Sequence, residues 1–175
     1  DSDSQGNLFI ADTGNNRIQK WEYGGLTGFT VAGGNGMGNE LNQLNKPFGI
    51  AVDNDGAIYI SELGNHRVTK WSAGASKGEL VAGGNGEGSN PNQLSIPMGI
   101  AVNNKGDVFV ADTYNHRIQL WEQGATKGRT LISGKDFNPD SQINYFSGIS
   151  LVNDSFLYIT DYQQKRIIRY DLETD

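Results

Sequence analysis

The feature that most limits what this chain can fold into is a repeat. Units beginning at Gly6, Gly56, Gly106 and Ser155 share one grammar, so the period is 50 residues, shortened to 49 at the last step. Each unit carries a glycine or serine start, a short apolar segment ending in an acid, a polar turn, and a second segment that begins with Arg and ends in Trp or Tyr. A fixed period of this size means one supersecondary unit per repeat, which cannot bury its own faces and is stabilised by stacked neighbours.

Within a unit the segments are strands. Asn7 to Asp12 and Arg17 to Trp21 flank Thr13-Gly14-Asn15-Asn16, whose Gly and Asn tolerate left-handed backbone, so the stretch reads as a β-hairpin. Gly28 to Ala32 supplies a third strand before the Gly33–Gly38 loop, and Pro47 to Val52 opens the next unit. Twenty-four glycines among 175 residues, and no long Leu/Ala/Glu/Lys tract, disfavour helices. Counting strands unit by unit gives three, four, four and three. Antiparallel four-stranded sheets repeating at this period are the blades of a β-propeller. The expected architecture is all-β, with about three and a half blades forming a single domain over residues 1–175. Asp1 to Gln5 reads as a frayed lead-in.

The phases of the repeat assign architectural roles. Small residues in Phe48-Gly49-Ile50-Ala51-Val52, matched by Gly99 and Ala101 and by Gly148 and Ser150, suit a crowded innermost strand. Trp21, Trp71, Trp121 and Tyr170 share a phase where blades splay, and large rings fill the gap there. Asp12 with Arg17, Glu62 with Arg67, Asp112 with Arg117 and Asp161 with Arg166 share one spacing; a pair present in every unit is structural rather than acid/base machinery.

Ala111-Asp112-Thr113-Tyr114-Asn115-His116-Arg117-Ile118, with Pro97-Met98-Gly99-Ile100-Ala101-Val102, resembles the NHL repeat family over nearly the whole chain. The third position of the family's name motif departs here, being Arg in every copy: Asn-Asn-Arg in the first, Asn-His-Arg in two and Gln-Lys-Arg in the last. The resemblance implies a propeller, usually of six blades, that binds ligands on one flat face. It also brings to mind an amidating lyase with a histidine-bound zinc on the ring axis. This chain holds only His66 and His116, at one repeat position, and they read as turn histidines rather than as a zinc site, which wants three or four ligands.

Other motifs have plain readings. The glycine loops at 33–38 and 83–88 precede no helix, so they connect blades rather than cradle phosphate. Asp53-Asn54-Asp55-Gly56 lacks the downstream Glu of a calcium loop and reads as a hairpin turn. Asn153-Asp154-Ser155 is an N-glycosylation sequon in an exposed turn, to be occupied if the protein is secreted by a eukaryote. A net charge of −6 repels nucleic acid, including the RNA that some propellers of this kind bind. No apolar run is long enough for a membrane span, no signal peptide opens the chain, and the absence of Cys excludes disulfides and thiolate metal sites.

What departs from the repeat is the candidate site. The last connection, Lys135 to Phe146, abandons the glycine loop and offers Lys135, Asp136, Phe137, Tyr145 and Phe146; Tyr114 stands where the other copies have Gly14, Gly64 and Gln163. Aromatics on propeller loops suit a partner surface. The expected function is a non-catalytic module that binds protein, peptide or glycan, or a structural subunit of an extracellular assembly, without cofactor or metal. The alternative is a zinc-dependent lyase or hydrolase completed by further blades. Three and a half blades leave apolar sheet faces open, so the ring is expected to be closed by further blades of a longer chain or by partner chains.

Overall fold

A computed structural model describes residues 1–137 and 145–172. Among these are 14 strands in four antiparallel sheets. The first sheet contains β1 (Leu8–Asp12), β2 (Arg17–Trp21) and β3 (Gly28–Gly33). The second contains β4 (Pro47–Val52), β5 (Ile58–Glu62), β6 (Arg67–Trp71) and β7 (Glu79–Gly83). The third contains β8 (Pro97–Val102), β9 (Val108–Asp112), β10 (Arg117–Trp121) and β11 (Arg129–Ser133), and the last β12 (Phe146–Val152), β13 (Phe156–Asp161) and β14 (Arg166–Asp171). Strands are hydrogen-bonded in sequence order within each blade, so every connection is short and none crosses another.

The opening residues are not frayed. Asp1 and Phe9 exchange hydrogen bonds in both directions, at 2.8 and 3.1 Å, and Ser2 bridges Leu8. Asp1 and Ser2 hold the repeat positions of Ala51 and Val52, so the end of an innermost strand is present in the first blade. The Asp1 side chain also accepts the Val52 amide at 2.9 Å, tying the first blade to the second.

The innermost strands approach closely. A Cβ added to Gly49 would lie 2.3 Å from the Met98 carbonyl, and one on Gly99 would lie 2.7 Å from the Ser147 carbonyl. Ser61 exploits the same closeness: its hydroxyl donates to Met98 O at 2.6 Å and accepts the Gly49 amide at 2.7 Å, joining blades two and three.

Between blades the core is apolar and periodic. Phe9, Ile18, Ala32 and Leu44 of the first unit pack with Ile58, Ile60 and Trp71 of the second. Tyr59, Val68, Ala82 and Leu94 pack with Val108, Val110 and Trp121, and Phe109, Ile118 and Ile132 with Phe146, Leu157 and Ile159. Trp71 and Trp121 thus fill the gap toward the preceding blade. All three indoles lie over a glycine at or just before the outer strand: Cβ atoms on Gly28, Gly78 and Gly128 would meet the indole nitrogens of Trp21, Trp71 and Trp121 at 2.4 to 2.6 Å.

The two outward faces of the arc repeat this chemistry without a neighbour. Leu8 and Ile10, at the phase of buried Ile58 and Ile60, are 53% and 45% exposed. Tyr158 and Ile167, at the phase of buried Phe109 and Ile118, are 40% and 69% exposed.

Candidate functional site

The acid and Arg pairs form a repeated clamp. Arg Nε meets the acid at 2.7 Å in Asp12–Arg17, 2.8 Å in Glu62–Arg67, 2.7 Å in Asp112–Arg117 and 3.2 Å in Asp161–Arg166. The other guanidinium nitrogens of Arg67 donate to the carbonyls of Asn39, Glu40 and Gln43, and those of Arg117 to Ser89, Asn90 and Gln93. These carbonyls belong to the loop that enters the same blade. The acids in turn accept amides of that loop, Asn45 N on Glu62 and Ser95 N on Asp112.

Environment splits the carboxyls. Hydrogen bonds from Arg17 and Asn15 hold Asp12 below the ordinary carboxylate value. Burial pushes Asp112 up, against the pull of Ser95, Asn115 and Arg117.

His66 and His116 sit in left-handed backbone, with φ of 51° and 54°, at the phase of Asn16 and Lys165. The first three hairpins use this residue to reach the start of the next blade. The Asn16 carbonyl oxygen of the side chain accepts Lys46 N at 2.9 Å, His66 Nδ1 accepts Ile96 N at 3.2 Å, and the His116 ring lies edge-on to Tyr145 with centroids 5.4 Å apart. Among the described residues no three His, Asp or Glu side chains group as metal ligands.

The departures from the repeat converge at the junction of blades three and four. Tyr114 and Tyr145 meet edge to face at 6.0 Å, and Tyr145 also touches His116. Tyr145 O accepts the amide of Tyr162, which carries a ring 77% exposed; Tyr114 is 52% exposed. Two tyrosine rings therefore meet at this junction, and the backbone of a third tyrosine is tied to it. Tyr162 escapes a reading centred on Tyr114 and the last connection, although its phase carries Thr13, Leu63 and Thr113 and so marks it as an exception.

The rest of the expected partner surface divides. Phe146 is fully buried among Ile132, Leu157 and Ile159, so it serves the core and offers nothing to a partner. Its repeat position is that of Pro47 and Pro97, which are also buried. Lys135 and Asp136 lie exposed on a one-turn helix, α1 (Gly134–Phe137), which replaces the glycine loop, and Asp136 accepts the Ser133 amide at 2.7 Å. The side chain of Phe137 and residues 138–144 lie outside the described residues. Asn153 is exposed in the turn between β12 and β13, with φ of 52°.

Clefts at the blade rims are architectural. One of about 570 Å³ touches Phe9, Lys20, Val31 and Ile58. Its counterpart in the next gap touches Tyr59, Lys70, Val81 and Val108, the same repeat positions. A feature that recurs with the blades does not single out a ligand.

The NHL repeat model matches residues 44–71 and 94–120. No curated protein matches the sequence. Solved structures share the fold. A streptogramin B lyase is 19% identical, with a TM-score of 0.65 over 98% of this chain and 53% of its own. An auxiliary nutrient binding protein from Bacteroides thetaiotaomicron is 15% identical, with a TM-score of 0.68 over 95% of this chain and 45% of its own. A gluconolactonase from Xanthomonas campestris is 14% identical, with a TM-score of 0.70 over 96% of this chain and 55% of its own. The chain spans about half the length of these structures.

Proposed function

This chain belongs to the NHL-repeat β-propellers, and from that premise we propose that it is a non-catalytic binding module whose partner, a protein, peptide or glycan, docks on the face carrying Tyr114, Tyr145 and Tyr162. The observation that carries the reading is the contact of the Tyr114 and Tyr145 rings, with exposed Tyr162 tied to Tyr145 through its backbone amide, at the one junction where the repeat is broken. Tyr supplies a large rigid contact at small entropic cost and a hydroxyl for orientation, which is why it concentrates at recognition surfaces. The repeated polar groups are otherwise engaged: the acids and arginines hold loops, and His66 bridges blades.

Peptide and glycan arrays probed with wild-type protein and with a Tyr114→Ala/Tyr162→Ala variant test this. A ligand class bound by the first and lost by the second, with the unfolding midpoint unchanged, supports the reading. Binding that survives the double substitution overturns it.

Two structural relatives are named for a lyase and a lactonase, which keeps a metal-dependent enzyme as the second reading, with ligands supplied by further blades. Metal analysis of the full-length protein distinguishes the two. Stoichiometric zinc lost on substitution of His66 or His116 favours the enzyme.

A further inference from the structure

The two glycine loops share a second property, a reactive dipeptide. Asn35-Gly36 and Asn85-Gly86 lie exposed at the same phase, and the third connection has no counterpart. In an Asn-Gly pair the glycine nitrogen, unshielded by a side chain, can attack the Asn Cγ.

We propose that Asn35 and Asn85 are sites of spontaneous deamidation, and that conversion unpins the loops that enter blades two and three. The backbone nitrogen of Gly36 forms a bond to Asn35 Cγ as its proton is lost to solvent base. The Cγ–Nδ2 bond then breaks and Nδ2 leaves as ammonia. Water opens the resulting succinimide at Cγ, giving Asp, or at the Asn35 backbone carbonyl, giving isoaspartate with the chain running through the β-carbon. The same steps apply to Asn85 and Gly86.

The geometry leaves the nucleophile available and gives the leaving group a structural task. Among the described residues neither Gly36 N nor Gly86 N has a backbone or side-chain acceptor, and both glycines have positive φ, 81° and 77°, with open space around an added Cβ. Asn35 Nδ2 donates to Asn42 O at 2.8 Å across the loop, and Gln43 Nε2 returns a bond to Asn35 O at 3.0 Å. In the second loop Asn85 Nδ2 donates to Asn92 O at 2.9 Å and also to Gly83 O at 3.2 Å, and Gln93 Nε2 donates to Asn85 O. Replacing the amide by a carboxylate sets an anion against the Asn42 or Asn92 carbonyl where a donor stood, with Glu40 or Glu87 in the same loop. Each loop ends in a fully buried plug, Leu44 or Leu94, so loosening it loosens a blade seam.

The second bond held by Asn85 sets an order. One net hydrogen bond shifts the reactive population about fivefold, so Asn35 converts about fivefold faster than Asn85. Folded wild-type protein is aged in mildly alkaline buffer, and peptide mapping resolves Asp and isoaspartate at each position. Asn54 and Asn104, which precede Asp55 and Lys105, serve as internal references. Gln43→Ala, which removes the bond to Asn35 O, is expected to speed conversion at Asn35 alone, and Gln93→Ala at Asn85 alone. Conversion at Asn35 first, then Asn85, ahead of both references, with increased proteolytic cleavage of the converted loops, supports the proposal. It is overturned if chain unfolded in denaturant converts at both positions while the folded chain converts at neither, if Asn85 leads, or if converted loops resist protease as well as the starting material.

Discussion

At the scale of single residues, equal sequence positions meet unequal surroundings. Trp71 donates its indole N–H to Thr69 at 3.2 Å, and Thr69 donates on to Glu62 at 3.0 Å. In the next blade Gln119 replaces Thr69 and Asp112 replaces Glu62, and there Trp121 Nε1 and Gln119 Oε1 are buried without hydrogen-bond partners among the described residues. A shorter acid is coupled with a longer amide, so neither change alone rebuilds the chain. Asp112→Glu and Gln119→Thr together should exceed the sum of the single effects by about 1 kcal/mol in a denaturant double-mutant cycle. Additive behaviour would mean that no relay forms. Asp12 and Asp112 are shifted in opposite directions. Asp12 sits below its ordinary value, so its contribution is present above the carboxylate range and lost as pH falls through its folded pKa. Asp112 sits above it, so its contribution is present at low pH and lost as pH rises through its folded pKa. Below the ordinary carboxylate value the stability gap between wild type and Asp12→Asn should widen with rising pH, and above that value the gap to Asp112→Asn should narrow with rising pH. Parallel urea titrations on both sides of that value measure both slopes.

At the scale of elements, the repeat exposes nearly all of the strand plan to a reader of sequence, because an acid, a turn, an Arg and a Trp at fixed offsets leave one register for the central hairpin. Trp71 and Trp121 fall in the blade gaps because only there is there room for an indole beside a glycine. What sequence left hidden lies at the exceptions. Phe146, read as a surface aromatic, occupies a buried proline phase, and aligning it on Pro97 rather than grouping it with its neighbour Tyr145 would have placed it in the core. The pairing of Asp1 and Ser2 with β1 was illegible because two polar residues have no period, and their place is fixed by the Phe9 backbone instead. The one-turn helix at Gly134–Phe137 was likewise missed, since four residues are too few for a helical pattern to declare itself. Close packing of the inner strands makes a specific demand. Gly99→Ala should cost about 1–3 kcal/mol, because the Cβ meets backbone that cannot move aside. Gly14→Ala, with open space around it, should fall within about 0.5 kcal/mol of wild type. Comparable losses at the two positions would argue against a tight axis.

For the whole molecule, the decisive fact is an arc with two unlike apolar ends. Leu8 and Ile10 offer the face that a preceding blade covers elsewhere in the chain, and Tyr158 and Ile167 the face that a following blade covers. Because the ends are complementary rather than identical, contact between copies would be head to tail, which closes into a ring or grows into a filament. The isolated 175-residue chain should therefore self-associate in sedimentation velocity, and Ile167→Lys or Leu8→Lys should each raise the concentration needed. A monodisperse monomer at high concentration would contradict this. The arginine clamps add a temporal consequence. Arg67 grips carbonyls 24 to 28 residues behind it, and Arg117 does the same over an equal distance. As a ribosome delivers the chain from its N-terminus, the first two connecting loops wait unlatched until the hairpin of the following blade has emerged, so each of these two is fastened by the newer unit reaching back.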